Sequence, residues 1–239
     1  MAAISISDII RKIEERGIFK GIKRYTYMPY SLDKAVEVVE AIGRTRRKNF
    51  CIDDDNRFAY ENIIRWIHGD KDMRCIDPAT HQEMPGRLDA GIYIAGNSGS
   101  GKSWAMEIMS AYTIIDDVQI TIGETRRCLR WPNVRADIIC EEYTKTGYYE
   151  KYKKMPIICI QDLGSEQMES LYMGNRENVI RRMIEYRGDR TDMLTLITSN
   201  LPMAHQKLEE KYGDRVVSRL NEMCNYLEIK GKDRRMLRS

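Results

Sequence analysis

The sequence lacks the cysteine and histidine patterns that bind zinc or build a disulfide framework. Its six cysteines are scattered without a CxxC pair, and its three histidines lie far apart. Isolated cysteines in a chain of 239 residues are typical of reduced, structural thiols. We therefore expect neither a zinc site nor a disulfide-stabilised secreted domain.

Long apolar segments are also missing. No run approaches the roughly 18 apolar residues that a membrane-spanning helix needs. The N-terminal stretch MAAISISDIIRKIEERG has no apolar core of the secretory type. With 42% hydrophobic and 31% charged residues, the chain has the composition of a globular protein, and we expect it in the cytoplasm with no membrane partner.

The net charge of +3 hides an uneven distribution of charge along the chain. Residues 1–48 hold 11 lysines and arginines against 6 acidic residues, whereas the remainder holds 28 against 30. A basic N-terminal region of this kind fits contact with nucleic acid or with an acidic partner protein. A solvated helix face would have the same composition, so both interpretations stay open.

Helical and strand patterns divide the chain near residue 50. Residues 1–50 show two helical patterns, the second capped by Ser31 and ended by Gly43, and the segment IFKGIKRYTYMPY between them is too aromatic for a pure linker. A third helix follows DDDNR, and a loop rich in Gly, Pro and Asp occupies residues 68–88. From Asp89 onward, strand patterns alternate with helical ones. The predicted strands are GIYIAG, ADIICEEY, PIICIQD, DMLTLITSN and CNYLEIK, and the predicted helices are KSWAMEIMSAYTII and ENVIRRMIEYRG.

This alternation predicts an α/β fold with a largely parallel sheet flanked by helices. We assign residues 51–239 to this domain. Residues 1–50 form a small, basic helical region in front of it, suited to binding DNA or a partner protein.

The stretch GNSGSGKS, residues 96–103, matches G-x-x-x-x-G-K-[ST] at every constrained position. Its glycines let successive backbone N–H groups face one anion, and the following helix directs the positive end of its dipole at the same point. In this motif the lysine, Lys102, reaches the β- and γ-phosphates, and the hydroxyl of Ser103 is offered to Mg²⁺. The motif therefore predicts a site for a nucleoside triphosphate and Mg²⁺.

A phosphate loop alone does not identify the reaction. An NKxD-type guanine-reading motif is absent, so we expect the triphosphate to be ATP. Sixty residues after Lys102 an apolar strand ends in Asp162, a carboxylate suited to the Mg²⁺ side of the site, and a later strand ends in Asn200, whose amide can orient water. Arg215 and Arg219 then lie four apart on a predicted helix, from which arginines can reach a neighbouring subunit's nucleotide.

These motifs, in this order, resemble the AAA+ ATPases of the bacterial DnaC/IstB type, which are helicase loaders and transposition helpers. The phrases GNSGSGKS, QDLGSE, TSNL, YGDRVVSRL and GKDRR carry the resemblance, which covers residues 50–239. It implies an AAA+ core with little or no C-terminal lid, and ATP-driven assembly of a homo-oligomer on DNA or on a helicase. It also implies an N-terminal segment that recognises the partner, either a replicative helicase or a transposase or integrase.

The resemblance also implies roles for residues of this chain. Asn200 matches sensor 1, Arg219 matches the arginine finger, and Arg215 is a second trans-acting candidate. Arg235 matches an arginine that approaches the phosphates in cis, and Arg187 is a further candidate for the subunit interface. The predicted nucleotide-binding residues are Gly96, Asn97, Ser98, Gly99, Ser100, Gly101, Lys102, Ser103, Trp104 and Arg235. The predicted catalytic residues are Asp162, Asn200, Arg219 and Arg215, and the predicted metal ligands are Ser103 and Asp162.

One position departs from the family pattern. Where the family has an aspartate followed by an aspartate or glutamate, this chain has Gln161 followed by Asp162. Glutamine supplies no negative charge to the metal's outer shell. Either Asp162 serves the metal, or hydrolysis is slow and nucleotide binding does most of the work. The leading hypothesis is an ATP-hydrolysing DnaC/IstB-like protein of DNA replication or transposition. A hydrolysis-deficient, nucleotide-gated binding module and a small-molecule P-loop kinase are the alternatives.

Two further segments allow competing interpretations. Residues 141–154 interleave tyrosines with lysines, which suits either base stacking with phosphate contacts or a solvated helix whose tyrosines cover the core. Residues 124–133, ETRRCLRWPN, suit either a basic loop facing a central pore or a surface hairpin. In both segments we favour the second, structural interpretation.

Overall fold

The structure is a computed structural model that describes residues 5–15, 21–25, 30–115, 117–231 and 233–234. The helices within these ranges are α1 (Ile6–Glu15), α2 (Leu32–Arg46), α3 (Arg57–His68), α4 (Lys102–Ile115), α5 (Ala136–Thr146), α6 (Glu150–Lys153), α7 (Val179–Gly188), α8 (Gln206–Tyr212) and α9 (Asp214–Met223). The strands are β1 (Ile22–Arg24), β2 (Arg74–Ile76), β3 (Glu83–Pro85), β4 (Gly91–Ala95), β5 (Gln119–Ile122), β6 (Thr125–Cys128), β7 (Asn133–Arg135), β8 (Ile157–Leu163), β9 (Ser170–Tyr172), β10 (Asn175–Glu177), β11 (Leu194–Ser199) and β12 (Cys224–Glu228).

Five parallel strands form the central sheet in the order β12–β4–β11–β8–β7. Strands β4 and β11 are buried along their whole length, and β8 is buried at every position except Asp162. A parallel sheet covered on both faces needs apolar side chains at successive positions, which explains why these strands read as continuous apolar runs. The predicted α/β fold with a parallel sheet flanked by helices is confirmed.

Successive side chains of each central strand enter two different hydrophobic clusters. In β4, Ile92 and Ile94 pack into the cluster that holds residues of α2, α3 and α4. Tyr93 and Ala95 pack into the cluster that holds residues of α5, α7, α8 and α9. This alternation follows from the pleat of a strand, in which neighbouring side chains point to opposite faces. The sheet therefore lies between two helical layers.

Helix α2 packs directly onto this body. Ala35 and Val39 are buried in the same cluster as α3 and α4. The Ser31 side chain caps the helix as predicted, but Gly43 does not end it. Instead, the Phe50 ring packs so closely on Gly43 that a β-carbon there would overlap it, and the helix continues to Arg46. The division of the chain near residue 50 stays a prediction, and described residues on both sides of it share one hydrophobic cluster.

Two local predictions were wrong. The segment ADIICEEY is helix α5 rather than a strand, because Ala136, Ile139, Cys140 and Tyr143 form one buried stripe at helical spacing. The predicted loop of residues 68–88 contains an antiparallel hairpin of β2 and β3. The segment between the first two predicted helices, which is too aromatic for a pure linker, contains β1, and β1 pairs with β5 and extends the β5–β6 hairpin into a three-stranded sheet.

Residues 124–133 and 141–154 have the structures that we favoured, a surface hairpin in the first segment and tyrosines covering the core in the second. Strands β5 and β6 form an antiparallel hairpin, and residues 124–128 belong to its turn and its second strand. In the 141–154 segment, Tyr143, Tyr149 and Tyr152 are buried in the hydrophobic cluster beneath α5, while Tyr148 is exposed. The lysines of this segment pair with neighbouring glutamates, as in Lys153 with Glu150 at 2.8 Å.

Candidate functional site: a phosphate-type pocket at the sheet edge

Three neighbouring strands bring the predicted site residues to one edge of the sheet. Strand β11 lies between β4 and β8, and its last residue, Ser199, is paired with Ala95 on one side and Leu163 on the other. The phosphate loop follows Ala95, Asn200 follows Ser199, and Asp162 precedes Leu163. Because the carboxyl ends of parallel strands meet at the same edge, residues distant in sequence become neighbours here.

The phosphate loop has the backbone geometry that its glycines predict. Gly99 and Gly101 have φ values of +77° and +102°, a region that residues with a β-carbon rarely adopt. Helix α4 begins immediately afterwards at Lys102. Ser98, Gly99 and Gly101 line the pocket above the helix terminus, while Ser100 is buried beneath the loop. Backbone N–H groups at such a terminus suit an anion.

The ammonium group of Lys102 lies in the centre of this arrangement. It donates hydrogen bonds to the carbonyl oxygens of Gly96 and Asn97, each at 2.8 Å, and to Oδ1 of Asn200 at 2.7 Å. The residue is almost fully buried, and a buried ammonium needs such partners to offset its desolvation. Lys102 of the phosphate loop is thus hydrogen-bonded directly to Asn200, the residue that matches sensor 1.

A bulge in β8 aims Asp162 at the start of α4. Ile160 pairs with Ile197 and Leu163 pairs with Ser199, so two residues of β8 stand opposite Thr198 alone. Asp162 has a φ of +55°, a strained value for a residue that is not glycine. Its backbone N–H donates to Thr198 Oγ1 at 3.0 Å, and its Oδ1 accepts a hydrogen bond from Ser103 Oγ at 3.3 Å. Bulges commonly redirect one side chain in this way.

Gln161 contacts the backbone of Ser103 and not its hydroxyl. Its side chain is buried, and its Nε2 donates to the carbonyl oxygen of Ser103 at 3.3 Å. Of the two residues in the bulge, it is therefore Asp162 whose carboxylate meets the Ser103 hydroxyl. A hydroxyl beside a carboxylate is an oxygen donor set of the kind that Mg²⁺ prefers.

The surrounding pocket has a volume of about 700 Å³ and carries an excess of positive charge. Its lining residues are Arg46, Arg47, Ser98, Gly99, Gly101, Lys102, Ser103, Trp104, Glu107, Arg135, Asp162, Ser165, Asn200 and Arg234. Five of these side chains are cationic and two are carboxylates. Such a field favours a multiply charged anion, and a triphosphate with Mg²⁺ fits the donor set.

Several lining residues escaped the sequence analysis. Arg46 and Arg47 stand at the end of α2, in a segment that we read only as a boundary, and they enter the pocket because α2 packs on α4. Arg135 ends β7, a strand of three residues that was not recognised, and its guanidinium pairs with Asp137 at 2.6 Å and 3.0 Å. Glu107 stands four residues after Ser103 on α4, a spacing that is readable from sequence.

The chain after β12 returns across the phosphate loop. The backbone N–H of Arg234 donates to the Gly99 carbonyl at 3.0 Å, and its guanidinium pairs with Asp53 at 2.6 Å. Burial is the largest single influence on the pKa of Asp53 and raises it, but the hydrogen bond and charge of Arg234, together with local backbone hydrogen bonds, outweigh burial and hold that pKa below its usual value. Arg235, the predicted cis arginine, lies outside the described residues, so its role stays a prediction.

Arg215 and Arg219 do not line the pocket of their own chain. Both belong to α9 and pair with Asp189 just after α7, Arg215 at 3.7 Å and Arg219 more closely, and Arg219 also pairs with Glu222 at 3.0 Å. Their predicted action on a neighbouring subunit stays a prediction.

Arg187 is not at a surface, contrary to the interface assignment. It is fully buried, and its guanidinium donates to Thr195 Oγ1 at 2.8 Å and to the carbonyls of Leu194 at 2.7 Å and Met155 at 2.6 Å. Burial lowers its pKa to about 10, so it remains protonated at neutral pH. Arg187 lies on the inner face of α7, and its hydrogen bonds join that helix to the start of β11.

The loop after Asp162 is clamped by α8. The buried Glu166 carboxylate accepts a hydrogen bond from the Gly164 N–H at 3.0 Å and another from the Tyr212 hydroxyl. Lys211 Nζ donates to the Gly164 carbonyl at 2.7 Å. Glu166, the other carboxylate near the strand, is thus engaged beside α8 and does not line the pocket.

Comparisons with known proteins identify the fold. No protein-family model and no curated protein sequence matches the chain. A solved structure of a candidate primosome component from Streptococcus pyogenes serotype M3 is similar with a TM-score of 0.50 and 18% identity, covering 76% of this chain and 83% of that one. The DnaC helicase loader (TM-score 0.47, 18% identity, 77% of this chain and 95% of that one) and AMPPCP-bound DnaA from Aquifex aeolicus (0.47, 18%, 76% and 48%) are also similar.

The chain therefore shares the α/β fold of the primosome-component structure, with the phosphate loop at the carboxyl edge of a five-stranded parallel sheet, and this fold agrees with the resemblance noted from the motifs. Across the part of the chain that the structure describes, no helix combines the length and apolar character needed to cross a bilayer.

Proposed function

We propose that this protein binds ATP with Mg²⁺ in the pocket at the sheet edge and hydrolyses it as a DnaC/IstB-like ATPase. The observation that carries the proposal is the convergence of Lys102, the Ser103–Asp162 pair and Asn200 in one positively charged pocket. This set provides a phosphate-binding amine, a metal-binding oxygen pair and a polar group for water. These groups come from three segments of the chain, the start of α4, the end of β8 and the end of β11, which supports a built site over a chance loop.

The residues divide the work by their chemistry. Lys102 exchanges its carbonyl contacts for the β- and γ-phosphate oxygens and stays close to Asn200. Ser103 and Asp162 hold Mg²⁺, which neutralises charge on the phosphates when bound. The Asn200 amide orients the attacking water in line with the γ-phosphate. Arg47, Arg135 and Arg234 supply further positive charge at the rim of the pocket.

Assembly completes the site in this proposal. Arg219, with Arg215 as the second candidate, approaches the nucleotide of a neighbouring copy, because neither arginine lines the pocket of its own chain. The resulting homo-oligomer acts in the cytoplasm on DNA or on a replicative helicase, and residues 1–50 recognise that partner. The fold shared with a candidate primosome component supports replication; a transposase or integrase is the other partner class.

A nucleotide-gated binding module without turnover is the second candidate function. It is favoured by Gln161, whose amide bonds the Ser103 backbone and brings no charge to the pocket. In that case ATP controls assembly alone. A small-molecule kinase gains no support from the pocket, because its rim arginines suit a triphosphate already held by Lys102.

Binding and turnover of the wild type and of Lys102→Ala test the proposal. Lys102→Ala removes two charge-assisted contacts to the phosphates, each worth about 1.5–3 kcal/mol. We therefore expect this variant to bind ATP about 100-fold or more weakly than the wild type. Lys145→Ala is the matched control, because Lys145 is exposed and pairs with Glu141 on its own helix. Wild-type binding without turnover, with or without single-stranded DNA, selects the gated module. Absence of ATP binding by the wild type refutes both.

Subunit mixing tests whether the arginine acts in trans. Lys102→Ala and Arg219→Ala are each expected to lose turnover alone. Mixed oligomers contain sites that join the intact loop of one variant to the intact arginine of the other, so turnover is recovered on mixing. Light scattering with ATP reports the assembly. Failure to recover activity, with oligomers present, contradicts an arginine that acts on the neighbour.

A further inference from the structure

We propose that Glu107 is the second carboxylate of the Mg²⁺–nucleotide site and supplies the negative charge that Gln161 does not. This inference rests on the proposed function. Glu107 binds the water shell of the metal, and Arg46 holds it in position. A second carboxylate must come from another element, because the bulged strand β8 offers only Asp162 to the pocket.

The position of Glu107 on α4 aims it at the metal-binding oxygens. It stands one helical turn after Ser103, so the two residues share a face of the helix, with β-carbons about 5–6 Å apart. Side chains of a helix lean toward its N-terminus, which here directs the Glu107 side chain back toward Ser103. Among the residues that line the pocket, Glu107 and Asp162 are the two carboxylates.

Arg46 fixes the orientation of this side chain. Its guanidinium forms an ion pair with Glu107 and lies 5.9 Å from the centre of the Trp104 ring. The Glu107 side chain stays 39% exposed, so a hydrated metal can reach it. Arg46 is the last residue of α2, so this ion pair connects the pocket to α2.

The charges of both carboxylates also reach the buried strand β8. Burial raises the pKa of the Cys159 thiol well above its usual range, and the negative charges of Glu107 and Asp162 act in the same direction. Carboxylates on two sides of a hydrated Mg²⁺ can each accept hydrogen bonds from its waters.

The test compares nucleotide affinity with and without Mg²⁺, using a non-hydrolysable ATP analogue and isothermal calorimetry. Glu107→Gln keeps the size of the side chain and removes its charge. We expect the affinity measured with Mg²⁺ to fall about 10- to 100-fold, the usual effect of losing an outer-shell partner, while the affinity measured in EDTA stays within twofold of wild type. Glu107→Asp, with a shorter side chain, is expected to lie between them.

Glu61→Gln is the matched control. Glu61 forms a helical ion pair with Arg57 at 3.4 Å on α3 but does not line the pocket, so its loss is expected to leave both affinities unchanged. Arg46→Met tests the positioning role and is expected to give part of the Glu107→Gln effect. Unchanged unfolding midpoints exclude loss of fold as the cause.

Each outcome decides the inference. A Mg²⁺-dependent loss in Glu107→Gln and its absence in Glu61→Gln support it. Equal Mg²⁺ dependence in wild type, Glu107→Gln and Glu61→Gln overturns it while leaving the proposed function intact. An equal loss in Mg²⁺ and in EDTA also overturns it, because Glu107 would then act on the nucleotide and not through the metal. A wild type that binds no analogue under either condition refutes the proposed function itself.

Discussion

Replacing Arg187 with methionine is expected to lower the free energy of unfolding of each subunit. It is not expected to change the size of an ATP-induced oligomer. The guanidinium is fully buried, and four neutral acceptors surround it, three of them carbonyl oxygens: those of Leu194, Met155 and Lys153, the last at 3.2 Å. The fourth is the hydroxyl of Thr195. Methionine matches the length and volume of the side chain roughly but donates no hydrogen bond.

The magnitude is a difference between two opposing contributions. Each buried acceptor that loses its donor costs about 1–3 kcal/mol, so the carbonyls alone lose several kcal/mol. Removing the buried charge offsets part of this loss, because burying an ion without a charged partner is itself unfavourable by several kcal/mol. The net expectation is a loss of about 3 kcal/mol in the free energy of unfolding. For a chain of this size that lowers the melting temperature by about 6–12 °C.

Thermal and urea unfolding followed by circular dichroism measure this loss. The matched control is Arg182→Met on the same helix, because Arg182 is exposed and its loss is expected to change stability by less than about 0.5 kcal/mol. If Arg187→Met unfolded like the wild type but altered the size of an ATP-induced assembly, Arg187 would be an interface residue after all. The packing argument would then be wrong.

Two further changes test the contacts around the pocket. Tyr212→Phe removes the hydroxyl that donates to the buried Glu166 carboxylate, and a hydrogen bond to a charged group is worth about 1.5–3 kcal/mol. A loss of about 2 kcal/mol in urea unfolding is expected, and no loss beyond that of the exposed control Tyr148→Phe would contradict it. Asp53 has a pKa below its usual value, so its ion pair with Arg234 stabilises the fold above the unfolded pKa, about pH 4, and this contribution is lost as the pH falls through the lower folded value. Asp53→Asn should therefore match the wild type at low pH and be less stable near neutrality; a constant stability difference between pH 2 and 7 would contradict this.

Elements with strong local patterns were predictable. The helix KSWAMEIMSAYTII begins at Lys102 and ends at Ile115 as expected, because the phosphate loop and the apolar spacing are both local signals. The strand β4 was recognisable as a continuous apolar run bounded by glycine. The segment of α5 was misassigned because IIC is apolar at successive positions, and only the buried stripe from Ala136 to Tyr143 distinguishes a helix from a strand.

Contacts between residues of separate elements were not predictable from the sequence. Arg234 enters the pocket because the chain after β12 returns over the phosphate loop, and Arg46 enters because α2 packs on α4. Arg187 carries the charge typical of a surface residue, yet it lies inside because carbonyl oxygens at strand and helix ends converge on that point. Periodicity reports which face of an element is apolar but not which other element covers it.

The sequence by itself determined that a phosphate-binding turn stands between a strand and a helix, and that a carboxylate and an amide end two later strands. These are statements about residues adjacent in the chain, where backbone geometry and hydrophobic period suffice. Only the tertiary structure decided that Asp162 meets the Ser103 hydroxyl while Gln161 meets the Ser103 backbone, because that depends on a bulge opposite Thr198. It also decided that Glu107 and Arg46 belong to the same pocket, since contacts between separate helices arise only from packing around a shared core.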